Sequence, residues 1–404
     1  MVSSATAVLS VLVWSRYMNL HIILSCNFSP WSRYSGGGQR STHQLATALA
    51  ERGHRVTVIF TKGPWERCEP EVRPIYRLRW ATIPALRSGS GSPLRPLTAV
   101  TVARAVADEL RPGQRTVVHA NGEEGALLPR LRRQQPFGLV VTSRYPSLPD
   151  ALLGAPRGHK HLALMVTEPK YLMLAHALRG ADVCAPPSQW AARLLKETFH
   201  LPEDRFEAVH NGVPEEFLKY RWDPDPNPRP IVFFGRYDVT KGVDTLLDAY
   251  HRLGKDAPPL WTFGRGPALA SMRAKIEHLG LKSQVTLHDW ATHDRLGLIL
   301  SRASMAVLPS REENFSLAVL ASLAVGVPLV ATQVGGTAEM VEHGHNGLLV
   351  DAGDPRELAN AIAEVLVNPG QARERAKRGR AMARDLTWAR AAERFEKIYA
   401  RIAA

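Results

Sequence analysis

The chain is poor in cysteine, in long apolar runs and, through its first half, in acidic residues. Its 404 residues contain three cysteines, Cys26, Cys68 and Cys184. They lie far apart with no C-x-x-C pair, which excludes a disulfide framework and a cysteine-based zinc site. A reducing compartment, the cytoplasm, fits that usage. No uninterrupted run of about 18 apolar residues occurs, so a membrane-spanning helix is not expected. The apolar stretch Thr6–Trp14 (TAVLSVLVW) is short, lacks a basic flank and has no clear small-residue cleavage site, so it does not read as a secretory signal. Met18-Asn-Leu-His-Ile-Ile-Leu has the pattern of a first strand, which leaves residues 1–17 as an upstream extension or a misassigned start. Apolar residues at 45% and charged residues at 22% exclude disordered, collagen-like and low-complexity classes.

What is present points to two domains. The length exceeds what one hydrophobic core usually holds, and domains of roughly 150–200 residues are expected. Short runs rich in Val, Ile and Leu recur in both halves, each followed by a longer helical pattern. In the first half they are Leu20–Ser25, Arg55–Phe60, Thr116–Ala120, Leu139–Ser143, Val183–Ala185 and Glu207–His210. In the second they are Ile231–Gly235, Leu260–Phe263, Gln284–His288, Met305–Pro309, Pro328–Thr332 and Gly347–Val350. Strands buried on both faces and alternating with helices signify parallel sheets, so the fold class is α/β with two Rossmann-like domains in succession. Alternating prolines in Arg221–Pro230 forbid helix and mark a linker. The expected organisation is an extension at 1–17, a first domain at 18–220, the linker at 221–230, a second domain at 231–386 and a closing helix at 387–404. Ligands of open parallel sheets sit beyond the carboxyl ends of the strands, so a cleft between the two domains is expected.

Charge is unevenly distributed. The net +13 divides into 26 − 15 = +11 for residues 1–210 and 25 − 23 = +2 for residues 211–404. A basic first half suits nucleic acid, an anionic membrane surface or an acidic substrate, and equally a merely solubilising surface.

Three strand-end segments have the residue types that bind phosphorylated ligands. Tyr34-Ser-Gly-Gly37-Gly38-Gln-Arg40 precedes a helical pattern; its glycines admit close backbone approach and the helix amides attract phosphate, although a ligand-free turn would look the same. In Phe234-Gly-Arg236-Tyr-Asp-Val-Thr-Lys241-Gly-Val243, a planar guanidinium and a point charge leave one strand end and can converge on a diphosphate. In Pro309-Ser-Arg-Glu-Glu313-Asn314-Phe315-Ser316-Leu317, a carboxylate stands beside a helix N-terminus, where it can accept hydrogen bonds from sugar hydroxyls or simply cap the helix.

Together with Gly264-Arg-Gly-Pro267, Gly326-Val-Pro-Leu-Val-Ala-Thr332, Val334-Gly-Gly-Thr-Ala-Glu339 and Trp388, these segments make residues 228–390 resemble the retaining GT-B glycosyltransferases of family 4. Gly36-Gly-Gly-Gln39, Arg52-Gly-His-Arg-Val-Thr-Val58, Ser188 and His210-Asn-Gly-Val213 extend the resemblance more weakly into the first half. The resemblance implies sugar transfer from a nucleotide diphosphate donor, a UDP- or GDP-sugar, with retention of configuration and no metal or other cofactor. It assigns Arg236 and Lys241 to the diphosphate and Glu313 with the Asn314–Leu317 backbone to the sugar. Gly264 falls on the donor side, and Gly37 with Gly38 would hold phosphate from the opposite domain.

Two departures accompany it. The family's glutamates stand eight residues apart, and the position eight after Glu313 is Ala321. Loss of that carboxylate costs on the order of 1.5–3 kcal/mol of donor binding unless another group substitutes. The family's histidine at the end of the Leu139–Ser143 strand is matched here by Arg144. His119, ending the preceding strand, is a sugar-side or acceptor-side candidate and equally a structural strand-end residue.

Weaker signals carry less. Asp223-Pro-Asp225 imitates a metal-binding DxD but lies in the proline linker, and Glu342-His-Gly-His345 reads as a polar loop, so no metal site is expected. Arg73–Arg79 and Arg130–Arg133 could contact nucleic acid, yet no recognised module accompanies them and none is expected as a partner. The expected acceptor is a saccharide or lipid-linked saccharide, with Arg73–Trp80 and the 87–96 loop near its entrance and an anionic membrane surface as partner. A fold relative without transferase activity, serving as a sugar-nucleotide-binding or scaffold subunit, is the competing expectation; an epimerase would need acid and base groups that the sequence does not reveal.

Overall fold

A computed structural model of the chain describes residues 20–32, 35–83, 95–144, 169–223 and 229–404. The extension at 1–17, Tyr34 and Asp225 lie outside the described residues, as does most of the 87–96 loop. The chain divides into two compact units, one comprising the first segment as far as His210 together with Trp388–Ala404, the other Asn211–Thr387.

The first unit is built on six parallel strands: β1 (His21–Cys26), β2 (Arg55–Lys62), β3 (Arg77–Thr82), β4 (Thr116–Ala120), β5 (Gly138–Val141) and β6 (Val183–Cys184). They pair in the order β3-β2-β1-β4-β5-β6. Burial of every residue of β1, β4 and β5 explains their continuous apolar character, since helices cover both faces of a parallel sheet. The second unit repeats the plan with β7 (Ile231–Phe234), β8 (Leu260–Phe263), β9 (Val285–His288), β10 (Met305–Leu308), β11 (Leu329–Thr332) and β12 (Leu348–Val350), in the order β12-β11-β10-β7-β8-β9.

The division between units falls at 210/211, before the proline-rich segment rather than in it. Val213 and Phe217 are buried in the second unit's core, the Val213 N–H donates to Leu386 O at 2.8 Å, and the Trp222 indole N–H donates to Ala303 O at 2.7 Å. Apolar anchoring thus draws residues 211–223 into the second unit ahead of the prolines.

The helix Trp388–Ile402 belongs to the first unit. Its apolar stripe, Trp388, Ala391, Ala392, Phe395, Ile398 and Tyr399, enters the same core as β1 and the helix Gly37–Glu51. Polar contacts fix its register: Arg52 forks onto Glu396 at 2.7 and 2.8 Å, and His54 Nε2 lies 2.9 Å from the same carboxylate. Deeper in, His119 Nδ1 is 2.6 Å from Tyr399 Oη and His119 Nε2 is 2.7 Å from Thr142 Oγ1. Thr142 donates its own hydrogen to Ala185 O at 2.7 Å, so Nε2 is the protonated nitrogen and Nδ1 accepts from the tyrosine. Burial, and secondarily Arg144, lowers the His119 pKa to about 3. His119 thus has no exposure and both ring nitrogens are engaged within the first unit.

Tyr399→Phe would leave Nδ1 buried without its donor. Urea denaturation should show a loss of about 1–3 kcal/mol, the cost of an orphaned buried acceptor; an unchanged midpoint would refute the pairing.

Candidate functional site

In the second unit two of the candidate side chains leave the carboxyl ends of adjacent strands. Lys241 stands on the loop after β7 and Glu313 on the loop after β10, the strand beside it. Lys241 Nζ donates to Glu313 Oε1 at 2.7 Å. The same oxygen accepts from the hydroxyls of Ser310 at 2.9 Å and Ser316 at 3.2 Å. Side-chain exposures of 25% for Lys241 and 12% for Glu313 place the pair in a partly desolvated setting, where it is worth more than an exposed ion pair.

Backbone packing holds the loops in place. Gly242 has φ +62°, and a Cβ there would lie 1.9 Å from Pro309 O. Gly335 has φ +54°, and a Cβ there would lie 1.6 Å from Glu313 O. Only glycine meets both the left-handed backbone and the close approach. Cross-loop hydrogen bonds add to this: Arg311 N–H to Thr240 O at 2.7 Å and Gly336 N–H to Asn314 O at 3.0 Å. Gly264 packs equally closely against the backbone of Gly235. Ser316 caps the helix Leu317–Val325, accepting from Val319 N–H at 3.4 Å, while Asn314 and Phe315 are buried.

Arg236 stands apart from this group. Its Nε donates to Asp238 and its side chain is 69% exposed, with no direct bond to Lys241 or Glu313. Ala321 lies on the Leu317–Val325 helix with its methyl group in the core, so an apolar side chain occupies the position where the family resemblance called for a carboxylate.

The first unit gathers a second polar cluster at the ends of β1, β4 and β5. Gly37 and Gly38 open the helix Gly37–Glu51, whose start is tied down by Gly36 N–H donating to Gln39 Oε1 at 2.9 Å and by Gln39 Nε2 donating to Asn27 O at 2.7 Å. Arg144 Nε donates to Asn121 Oδ1 at 2.9 Å, and its stem passes over Gly38, where a Cβ would lie 3.4 Å from Arg144 Cδ. Burial lowers the Arg144 pKa to about 10. Beneath it lie two carboxylates that sequence reasoning missed. Glu123 accepts from Asn27 Nδ2 at 3.0 Å. Glu124 accepts from Asn121 N–H at 2.7 Å and from Ser25 Oγ at 3.1 Å. Both are 1% exposed. The segment Asn121-Gly-Glu-Glu-Gly125 reads locally as a solvated turn, and only the glycines flanking the acids hinted otherwise.

The basic stretch Arg73–Arg79 is largely neutralised. Arg79 pairs with Asp108 and Glu109 at 2.5 and 2.6 Å, and Arg77 with Glu109 at 3.2 Å. Arg73 is exposed and forms no ion pair among the described residues. It lines an open groove of about 1010 Å³ that also includes Tyr76, Arg77, Trp80, Glu69 and Glu71. No group of side chains suited to a metal ion occurs among the described residues.

Comparison with known proteins agrees with this architecture. The family described as Glycosyl transferases group 1 matches residues 215–382, and Glycosyltransferase Family 4 matches residues 35–217. The D-inositol 3-phosphate glycosyltransferase of Acidothermus cellulolyticus is 27% identical over 90% of this chain and 85% of that protein. The protein of the same name from Thermobispora bispora is 30% identical over 52% of this chain and 53% of its own, so the chain spans about half the length of that relative. Among solved structures, a sucrose-phosphate synthase from Thermosynechococcus elongatus aligns with TM-score 0.75 at 23% identity, covering 95% of this chain and 98% of that one. Anabaena HepE in complex with UDP-glucose aligns with TM-score 0.70 at 18% identity, covering 94% and 99%. The chain belongs to glycosyltransferase family 4, and its two parallel-sheet units form a GT-B fold.

The buried carboxylate pair has a pH signature. Burial first, and the neighbouring Glu123 second, push Glu124 up to about 8. An unfolded glutamate titrates near pH 4.3, so across the interval up to about 8 the folded chain binds more protons and loses stability as pH rises. Glu124→Gln removes that titration. Relative to the parent, the variant should gain stability progressively from roughly pH 4.3 to about 8 and hold the gain above it; urea midpoints that run parallel at pH 5, 7 and 9 would contradict this.

Proposed function

We propose that the chain transfers a sugar from a nucleotide diphosphate donor to an acceptor hydroxyl, with retention of anomeric configuration. The observation that carries this reading is the Lys241–Glu313 pair, an ammonium and a carboxylate held together at the ends of adjacent strands. A bound donor would draw Lys241 onto its diphosphate and leave Glu313 to accept hydrogen bonds from the sugar hydroxyls. Departure of the diphosphate accumulates negative charge, which Lys241, Arg236 and the first amides of the Leu317–Val325 helix would stabilise. These groups supply the charge for which other transferases use a divalent cation, so turnover is expected to survive a chelator.

A UDP- or GDP-sugar is the proposed donor; UDP-glucose is the first to test because HepE was solved with it. The proposed acceptor carries negative charge or a lipid. Relatives named for D-inositol 3-phosphate favour an acceptor with a phosphate, and Arg144 over the glycine turn is the cation assigned to the acceptor side. Exposed Val72 and Ile75, close to Arg73 in the chain, with Ile75 lining the open groove, favour approach to a lipid-borne saccharide at the inner face of a membrane, in polysaccharide or glycolipid synthesis. A second reading, a sugar-nucleotide-binding subunit without transfer, is favoured by the methyl group at Ala321.

Lys241→Ala and Arg236→Ala should each slow donor turnover about a hundredfold, equivalent to about 2.7 kcal/mol for one electrostatic donor. Unchanged rates would remove those assignments. Calorimetric binding of nucleotide sugars by the parent chain, with no turnover or donor hydrolysis under any condition, would instead establish the non-transferring reading.

A further inference from the structure

The basic run Arg130–Arg133 finds no part in the transfer chemistry, and the fold gives it a different setting. The short helix Leu128–Arg132 ends near the start of β5, at the amino ends of the strands, whereas Gly37, Gly38 and Arg144 follow the carboxyl ends of β1 and β5. A concavity of about 460 Å³ opens there, lined by Arg132, Arg133, Arg179, Arg205 and Asp182 over a floor of Pro129 and Gly180. Four arginines and one aspartate therefore line one concavity.

That carboxylate is already occupied. Asp182 Oδ2 accepts from Arg132 at 2.6 Å and from Leu139 N–H at 2.8 Å. Arg205 donates to Arg179 O at 2.8 Å and Arg179 to Phe199 O at 3.4 Å, contacts that orient the side chains without neutralising them. Glu203, in the same turn as Arg205, pairs with Lys196 at 2.9 Å. The floor is rigid: a Cβ on Gly180 would lie 2.2 Å from the Pro129 ring, so the helices Leu128–Arg132 and Pro169–Gly180 meet there in direct contact.

We propose that this concavity binds a phosphate-bearing ligand at a site separate from the donor and acceptor residues. Converging guanidinium groups repel one another unless an anion lies between them, and their planar forks match the oxygens of a phosphate. The volume falls within the roughly 300–1,000 Å³ of small-molecule sites. The lining contains no aromatic ring on which a nucleic acid base could stack. A free phosphorylated metabolite and the headgroup of a phosphomonoester lipid share this chemistry.

Calorimetric titration of the full chain with inorganic phosphate, at matched ionic strength in chloride, tests the site. Lys241→Ala serves as the background, so that the donor residues do not report. Saturable binding is expected there, and Arg133→Gln with Arg179→Gln should weaken it at least tenfold while leaving the thermal midpoint in place. Absence of saturable binding, or affinity unchanged by the two substitutions, would overturn the proposal. Flotation with phosphatidic acid and phosphatidylglycerol vesicles separates the sources. Preference for phosphatidic acid that disappears in the Arg133/Arg179 variant supports the lipid headgroup, and phosphate binding without flotation supports a free metabolite.

Discussion

The contact between Lys241 and Glu313 is the interaction around which the second unit's loops are arranged. An ammonium and a carboxylate drawn partly out of water are held only where the surrounding geometry is firm, because the desolvation of each must be offset by the other and by further hydrogen bonds. Two serine hydroxyls supply those bonds. Two glycines in left-handed conformations let three loops approach within backbone contact. The parallel sheet beneath sets the spacing, since β7 and β10 are immediate neighbours. Each element is an ordinary consequence of packing, and together they present two opposite charges side by side at the strand ends.

The first unit solves a different problem. Its strand ends surround Glu123 and Glu124, which have almost no access to water, with an asparagine, a serine, backbone amides and a neighbouring arginine. Burying two acids next to each other is unfavourable unless a proton is retained, and the upward displacement of Glu124 expresses that. The arrangement fixes the amide of Asn121, and Asn121 in turn fixes Arg144. The arginine that stands where the family pattern calls for a histidine is thus embedded in a pre-built network.

Much of this architecture was legible in residue order because parallel strands announce themselves. Twelve apolar runs were read as strands, and eleven contain one; Glu207–His210 instead lies beside β6 through a single bridge at Phe206, and β3 escaped notice because its sequence, Arg-Leu-Arg-Trp-Ala-Thr, alternates as an exposed edge strand does. The two loops containing Lys241 and Glu313 were legible for a similar reason, since glycine or charge after a buried run marks a strand end. What stayed hidden depended on distance in the chain. Nothing near Asn121 signals that Ser25 and Asn27 will close over its two acids. Nothing near Arg77 signals that Glu109 will neutralise it, so a stretch that looked basic is nearly balanced. The proline-rich segment looked like the boundary because composition marks flexibility, whereas the actual division follows where Val213 and Phe217 find their core.

The docking of the Trp388–Ile402 helix has a temporal consequence. A ribosome releases the residues of the second unit before those that complete the first, because the first unit's hydrophobic layer includes a segment translated some 180 residues after the rest of it. A nascent chain that has reached His210 therefore presents an uncovered apolar face along β1 and the Gly37–Glu51 helix, while the second unit can close without waiting. Synthesis order and folding order part company, and the first-made unit cannot complete its core until the Trp388–Ile402 helix emerges.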